Sequence, residues 1–241
     1  MVVTAEQSEL GGWDSITVSD DGTGMNEMSA NTSFSKVGDS WKAPLNSRSE
    51  SKKRPMHGRH GRGRYAAFAL GEYVRWTSTV NEYDVLKTVE SKGVRSDLTT
   101  VDVTPIETGE LKRGTSVHVA ALSPECLRDL DKENYLRNET ISAFALHLDR
   151  YDDFNITVFG EELDPKSVQL DNQKIAIPTP AGVEGTIELN VIEWDLPNVE
   201  RKLYLVSDEG AIIDEMPPGI QAPGADFTAY LKWDGFTHGQ P

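Results

Sequence analysis

A single cysteine, Cys126, stands in the 241 residues. No intramolecular disulfide can form, which fits a reducing, cytoplasmic setting. With one thiol and no His spacing that suits a metal, a zinc centre is not expected. No apolar run approaches the ~20 residues that span a bilayer. The start, MVVTAEQSELGG, has neither the basic n-region nor the apolar core of a signal peptide. The sequence reads as soluble and cytoplasmic, with no membrane partner. Basic residues are scarce too: 24 Lys and Arg stand against 39 Asp and Glu, giving a net charge of −15. Such a chain is not drawn to nucleic acid or anionic lipid by general attraction. Only a local basic patch would leave nucleic acid possible. Hydrophobic residues at 37% and charged residues at 26% are polar for a globular protein, yet not disordered.

Along the chain, residues 14–18 alternate as a short strand that ends at Asp20-Asp21-Gly22, a turn signal. A short helix is expected near 26–36, then a long polar loop. Loops of that length are usually functional or disordered. Residues 58–63 form a glycine-rich loop opening into a helix near 64–71, ended by Gly71. Strands are expected near 73–81, 83–89, 99–107 and 114–122. A helical pattern runs over 124–148, with Leu127, Leu130, Ile141, Phe144, Ala145 and Leu148 at helical spacing. A strand follows at 154–160. Past residue 165 the composition changes to short strands punctuated by Pro and Gly. The boundary falls near 165–172, giving one domain over 1–168 and a second over 169–241. The last residues, DGFTHGQP, end without a packed element, so the chain reads as part of something longer.

Two glycine-rich stretches carry the chemistry. GRHGRGRY has its glycines at 58, 61 and 63. That is not the G-x-G-x-x-G of a dinucleotide turn, and polar loop rather than strand precedes it. Gly58 and Gly63 have the P-loop spacing, but Arg64 and Tyr65 replace the Lys and the hydroxyl that hold phosphate and magnesium. An RNA-binding Gly-Arg segment would be repetitive and disordered, whereas this one runs into the apolar YAAFALG. A glycine loop at a helix N-terminus suits phosphate: free N–H groups and the helix dipole favour an anion, and glycine lets it approach. Between residues 42 and 64 lie Lys42, Arg48, Lys52, Lys53, Arg54, Arg59, Arg62 and Arg64 against one acid, Glu50. A polyanion is the partner this cluster suits.

Taken in order, ITVSDDGTGM and HGRGRYAAFALG resemble the GHKL ATPases, the superfamily of gyrase, the ninety-kilodalton heat-shock chaperone, histidine kinases and MutL. The family's D-x-G-x-G box falls on Asp20, Gly22 and Gly24, and its G-x-x-G-x-G box on Gly58, Gly61 and Gly63. SFSKVGDSWK between them resembles the connecting segment of the chaperone and MutL branch. GTSVHVAAL resembles a later strand that would bring Thr115 near the nucleotide. The resemblance covers roughly residues 14–160.

It implies an α+β fold: a Bergerat-type α/β sandwich, followed by part of a smaller, transducer-like α/β domain. It implies ATP as ligand, with Mg2+ in an intact form, and a protein partner or dimer. Asp20 would accept a hydrogen bond from the adenine amino group. Gly22 and Gly24 would let the backbone pass beneath the base, and Met25 would line its face. Gly58, Gly61, Gly63 and Arg64 would close over the triphosphate as a lid, making nucleotide state a conformational switch. Wrong bases are rejected because they leave a carboxylate unpaired.

Plainer readings stand beside these. Asp20-Asp21-Gly22 by itself is an ordinary turn. Met25 and Phe68 suit a plain core, the arginines a solvated basic face, and Thr115 any strand. One departure concerns hydrolysis. The family carries a general-base Glu and a magnesium-holding Asn, spaced E-x-x-x-N, on a helix before the first box. The residues ahead of Ile16 contain no such pair, and Glu27-x-x-x-Asn31 follows the box. The expectation is a fold lacking its N-terminal catalytic helix, with no catalytic residue or metal ligand assigned. A carboxylate base contributes ~10²–10⁴-fold, so this chain alone should hydrolyse ATP poorly. The alternative is a non-catalytic, degenerate GHKL interaction module.

Overall fold

The computed structural model describes residues 1–35, 62–107, 112–179, 185–196, 199–207, 212–220 and 224–237. These residues divide into two compact units. One runs up to Glu133 and includes Ile156–Glu162; the other takes Asn134–Asn155 and the chain from Leu163 onward.

The first unit is built on an eight-stranded sheet. Its strands are β1 (Val2–Gln7), β2 (Trp13–Asp20), β3 (Gly71–Glu82), β4 (Val85–Val94), β5 (Asp97–Ile106), β6 (Gly114–Leu122), β7 (Thr157–Val158) and β8 (Glu161–Glu162). The spatial order is β5-β4-β3-β6-β2-β1-β7-β8. All neighbours are antiparallel except β1 with β7. The polar N-terminus is therefore a strand, paired with β2 on one side and β7 on the other. Val3 is its one buried hydrophobic residue, which is why alternation did not announce it. Tyr83 and Asp84 turn β3 into β4 with φ of 53° and 64°. Two successive positive φ values suit the right-handed twist of a tight hairpin.

Helices α1 (Glu27–Ser35) and α2 (Arg62–Leu70) lie on one face. Their aromatic residues meet on the central strand: Phe34 and Phe68 sit 4.8 and 5.5 Å from the Trp76 ring. All three are buried. Such ring pairs contribute about 0.5–1.5 kcal/mol each beyond their buried area. The stretch expected as one helical pattern over 124–148 is two helices, α3 (Pro124–Asp131) and α4 (Tyr135–Arg150). Asn134 breaks them with φ of 58°, a left-handed conformation that ends helical continuity. Ser123 caps α3 by accepting from the Cys126 N–H at 3.2 Å, and its hydroxyl donates to the Ala69 carbonyl of α2 at 2.9 Å. The strand expected over 154–160 shrinks to two residues.

The second unit holds α4 and a five-stranded sheet. Its strands are β9 (Gln169–Ile177), β10 (Ile187–Trp194), β11 (Lys202–Val206), β12 (Ile212–Met216) and β13 (Phe227–Trp233), in the order β12-β11-β13-β10-β9. Tyr204 and Tyr230 stack at 5.5 Å in its core, and the Tyr230 hydroxyl donates to the Ser142 carbonyl of α4. Lys202 bridges Glu139 of α4 and Glu200, both at 3.0 Å. Burial works against the charged Lys202, but hydrogen bonds to Glu200 and Glu139 outweigh it and hold the pKa above the usual lysine value.

Candidate functional site

The first box sits where β2 runs out. Register places Asp20 opposite Thr115 of β6, and Thr115 opposite Ser78 of β3. Directly opposed residues share a face, so three polar side chains form a row across three strands. One end of this row is exposed and the other is deep: Asp20 is exposed, Thr115 half-buried, and Ser78 only 1% exposed.

The Asp20 carboxylate is held by the backbone. Its Oδ1 accepts from the Gly22 N–H at 2.7 Å and from the Thr115 N–H at 3.3 Å. The first bond is what any Asp-x-Gly turn would make. The second reaches 95 residues along the chain, which a local turn does not need. Both bonds fall on Oδ1. Among the described residues Oδ2 has no partner, so an oriented acceptor remains open.

Behind the carboxylate, the Ser78 hydroxyl accepts from the Met25 N–H at 2.7 Å and bonds the Thr115 hydroxyl at 2.8 Å. This pins the box to β3. A second anchor follows at once: Asn26 donates to Glu82 at 2.7 Å and caps α1 by accepting from the Ser29 N–H at 2.8 Å. Hydrogen bonds from Lys87 and Asn26 keep the Glu82 carboxyl below its usual range.

Two glycines are required by this geometry. Gly24 has φ of +73°, and a Cβ there would overlap the Thr79 carbonyl oxygen. Gly114 has φ of +141°, and a Cβ there would overlap the Asp20 carbonyl. Both conformations belong to glycine. What crowds Gly24 is β3 itself, so its smallness serves the docking of the box onto the sheet.

The structure thus brings together Asp20, Gly22, Gly24, Met25 and Thr115. Gly58 and Gly61 lie outside the described residues. Gly63 and Arg64 sit on a separate element, the first turn of α2, which begins at Arg62. Gly63 is therefore helical rather than part of the loop. Its N–H and that of Arg64 belong to the opening turn, where donors have no intrahelical acceptor. Glu27 and Asn31 are both exposed on α1. Among the described residues no group of three or more His, Cys, Asp or Glu side chains is placed to hold a metal. No described helix is long and apolar enough to cross a membrane. Ser78 was not singled out from the sequence. Its only signal there was a serine in the strand WTSTV, and the register against Thr115 is what gives it meaning.

These residues fit an adenine nucleotide in the oriented carboxylate with one open oxygen, the hydroxyl beside it, and a helix start with unused donors. Comparison with known proteins points the same way for part of the chain. Residues 2–117 match the family described as histidine kinase-, DNA gyrase B- and HSP90-like ATPases. No curated protein matches. Among solved structures, the chain is similar to the 43K ATPase domain of Thermus thermophilus gyrase B, solved with an aminocoumarin, at 15% identity and a TM-score of 0.40. That alignment covers 96% of this chain and 69% of the other. The ATPase region of Saccharomyces cerevisiae topoisomerase II, bound to ICRF-187 (dexrazoxane), aligns at 10% identity and a TM-score of 0.47, covering 96% and 66%.

Proposed function

We propose that residues 2–117, the segment carrying the GHKL-superfamily match, form a module that binds ATP and uses the bound nucleotide as a conformational switch. The observation that carries this reading is the Asp20 carboxylate: Oδ1 is fixed by two backbone donors, and Oδ2 is left open beside Thr115. The base amino group is the donor this acceptor suits, with Met25 against the ring. The triphosphate is assigned to the start of α2, where Gly63 and Arg64 stand, and to Gly58 and Gly61 ahead of it in sequence.

The finer reading has the basic segment 38–57 closing over the phosphates, and rests on its composition and its place between the two boxes. SFSKVGDSWK places the chain nearest the chaperone and MutL branch by the same kind of argument. Bound Mg2+ would supply charge neutralisation on the phosphates. Hydrolysis is assigned to a form that carries the Glu and Asn of the family's catalytic helix, and no residue here is given those roles. The second unit is read as transducer-like, with a protein partner or a second copy receiving the nucleotide signal.

Equilibrium titration of the chain with ATP, with and without Mg2+, and with GTP as control, tests the reading. Saturable binding that prefers ATP is expected. Absence of binding to any adenine nucleotide would remove it.

A further inference from the structure

The row Asp20–Thr115–Ser78 holds one feature that the nucleotide reading leaves unused. Ser78 is almost wholly buried in the middle of β3, where a polar side chain needs a reason. Its oxygen takes the Met25 N–H at 2.7 Å. Its own hydrogen has two acceptors in reach, the Thr115 hydroxyl at 2.8 Å and the Gly114 carbonyl at 3.5 Å. Hydroxyl hydrogen bonds lie between about 2.5 and 3.0 Å, so the distances assign the Ser78 hydrogen to Thr115.

That assignment has a consequence for Thr115. Its oxygen is already an acceptor toward Ser78, so its own hydrogen is left to donate elsewhere. The Thr115 backbone N–H is engaged with Asp20 Oδ1. The site therefore presents an acceptor, Asp20 Oδ2, beside a donor, the Thr115 hydroxyl. A 6-aminopurine offers the complement, an amino donor next to a ring-nitrogen acceptor. A 6-oxopurine offers an acceptor next to an N–H donor, and is mismatched at both points.

We propose that Ser78 is a positioning residue for base selection: from within the core it sets Thr115 as a hydrogen-bond donor, and so makes the site read a 6-aminopurine in preference to a 6-oxopurine. The inference rests on the nucleotide reading above. Ser78 acts through Thr115 and through the Met25 backbone, and is not itself a contact to the base.

The test compares ATP and GTP dissociation constants for the whole chain and for Ser78→Ala, Ser78→Thr, Thr115→Val and the Ser78→Ala/Thr115→Val double variant. Ser78→Ala should weaken ATP by about 5- to 10-fold, the equivalent of one net hydrogen bond, with little loss for GTP. The ATP preference should narrow by that factor. Ser78→Thr keeps the hydroxyl and should keep the preference. Thr115→Val retains the backbone N–H to Asp20 and should narrow the preference as Ser78→Ala does. The double variant should be no worse than Thr115→Val alone. Equal losses for ATP and GTP in Ser78→Ala, or additive effects in the double variant, would overturn the inference. Should Ser78→Ala fail to fold, an unchanged preference in Thr115→Val overturns it equally. A wild-type chain that binds neither nucleotide would instead refute the nucleotide reading itself.

Discussion

Replacing Asp20 by asparagine alters one heavy atom of the site and separates its two roles. The side-chain oxygen of asparagine can still accept from the Gly22 and Thr115 N–H groups, which lie 2.7 and 3.3 Å from Oδ1 in the native protein. The turn and the link from β2 to β6 should survive. The open Oδ2, however, becomes an NH2 that meets the adenine amino group donor to donor. Losing that bond and leaving a polar group unmatched costs about 1–3 kcal/mol, or about 5- to 150-fold in the ATP dissociation constant. Asp20→Ala would lose the same ligand contact and both backbone bonds as well. Asp20 is exposed, so that further loss is screened by water, and about 1–2 kcal/mol of stability is expected. Calorimetric titration with ATP and urea denaturation read the two quantities separately. The expected pattern is weakened binding with unchanged stability for asparagine, and loss of both for alanine. Asparagine binding ATP as tightly as wild type would refute the assignment of Oδ2 to the base. Asparagine losing as much stability as alanine would reduce Asp20 to a turn residue.

Gly24→Ala should destabilise the first unit by about 2–4 kcal/mol, because it combines a positive φ with displacement of the β3 backbone. A fall in the urea midpoint reads this, and a change under 1 kcal/mol would show that the turn can move away from Thr79. Arg64→Ala should weaken ATP but not adenosine, since only ATP reaches the start of α2; equal losses for both ligands would make the residue structural. Glu139→Gln breaks one arm of the Lys202 bridge, whose side chains are 13% and 22% exposed, and should cost the second unit about 1–3 kcal/mol. Because the Lys202 pKa is raised in the folded state, the bridge contributes fully below the unfolded lysine value of ~10.4 and is lost as pH rises through the folded value. Wild type and variant should therefore converge in stability only at alkaline pH.

The sequence by itself determined where the first box lies, that an apolar helix follows the second, and that β3 to β6 are strands. These depend on local signals: Asp-Gly turns, alternation, and glycine ahead of an apolar run. It also placed Thr115 near Asp20, though through resemblance to a family and not from spacing. Other features were illegible for identifiable reasons. β1 has a single buried hydrophobic residue and is made a strand by its partners, β2 and β7. The helical pattern over 124–148 hid a break, because apolar spacing carries no trace of the positive φ at Asn134.

Only the tertiary structure decided the character of the candidate site. Asp20, Ser78 and Thr115 are 58 and 37 residues apart along the chain, and strand register alone brings them into one row. A one-residue slip in either ladder would turn the facing side chain to the opposite side of the sheet. Hydrogen bonds then fix which carboxylate oxygen is used and which is free. That distinction cannot be encoded locally, because it depends on the Thr115 N–H arriving from a strand 95 residues away.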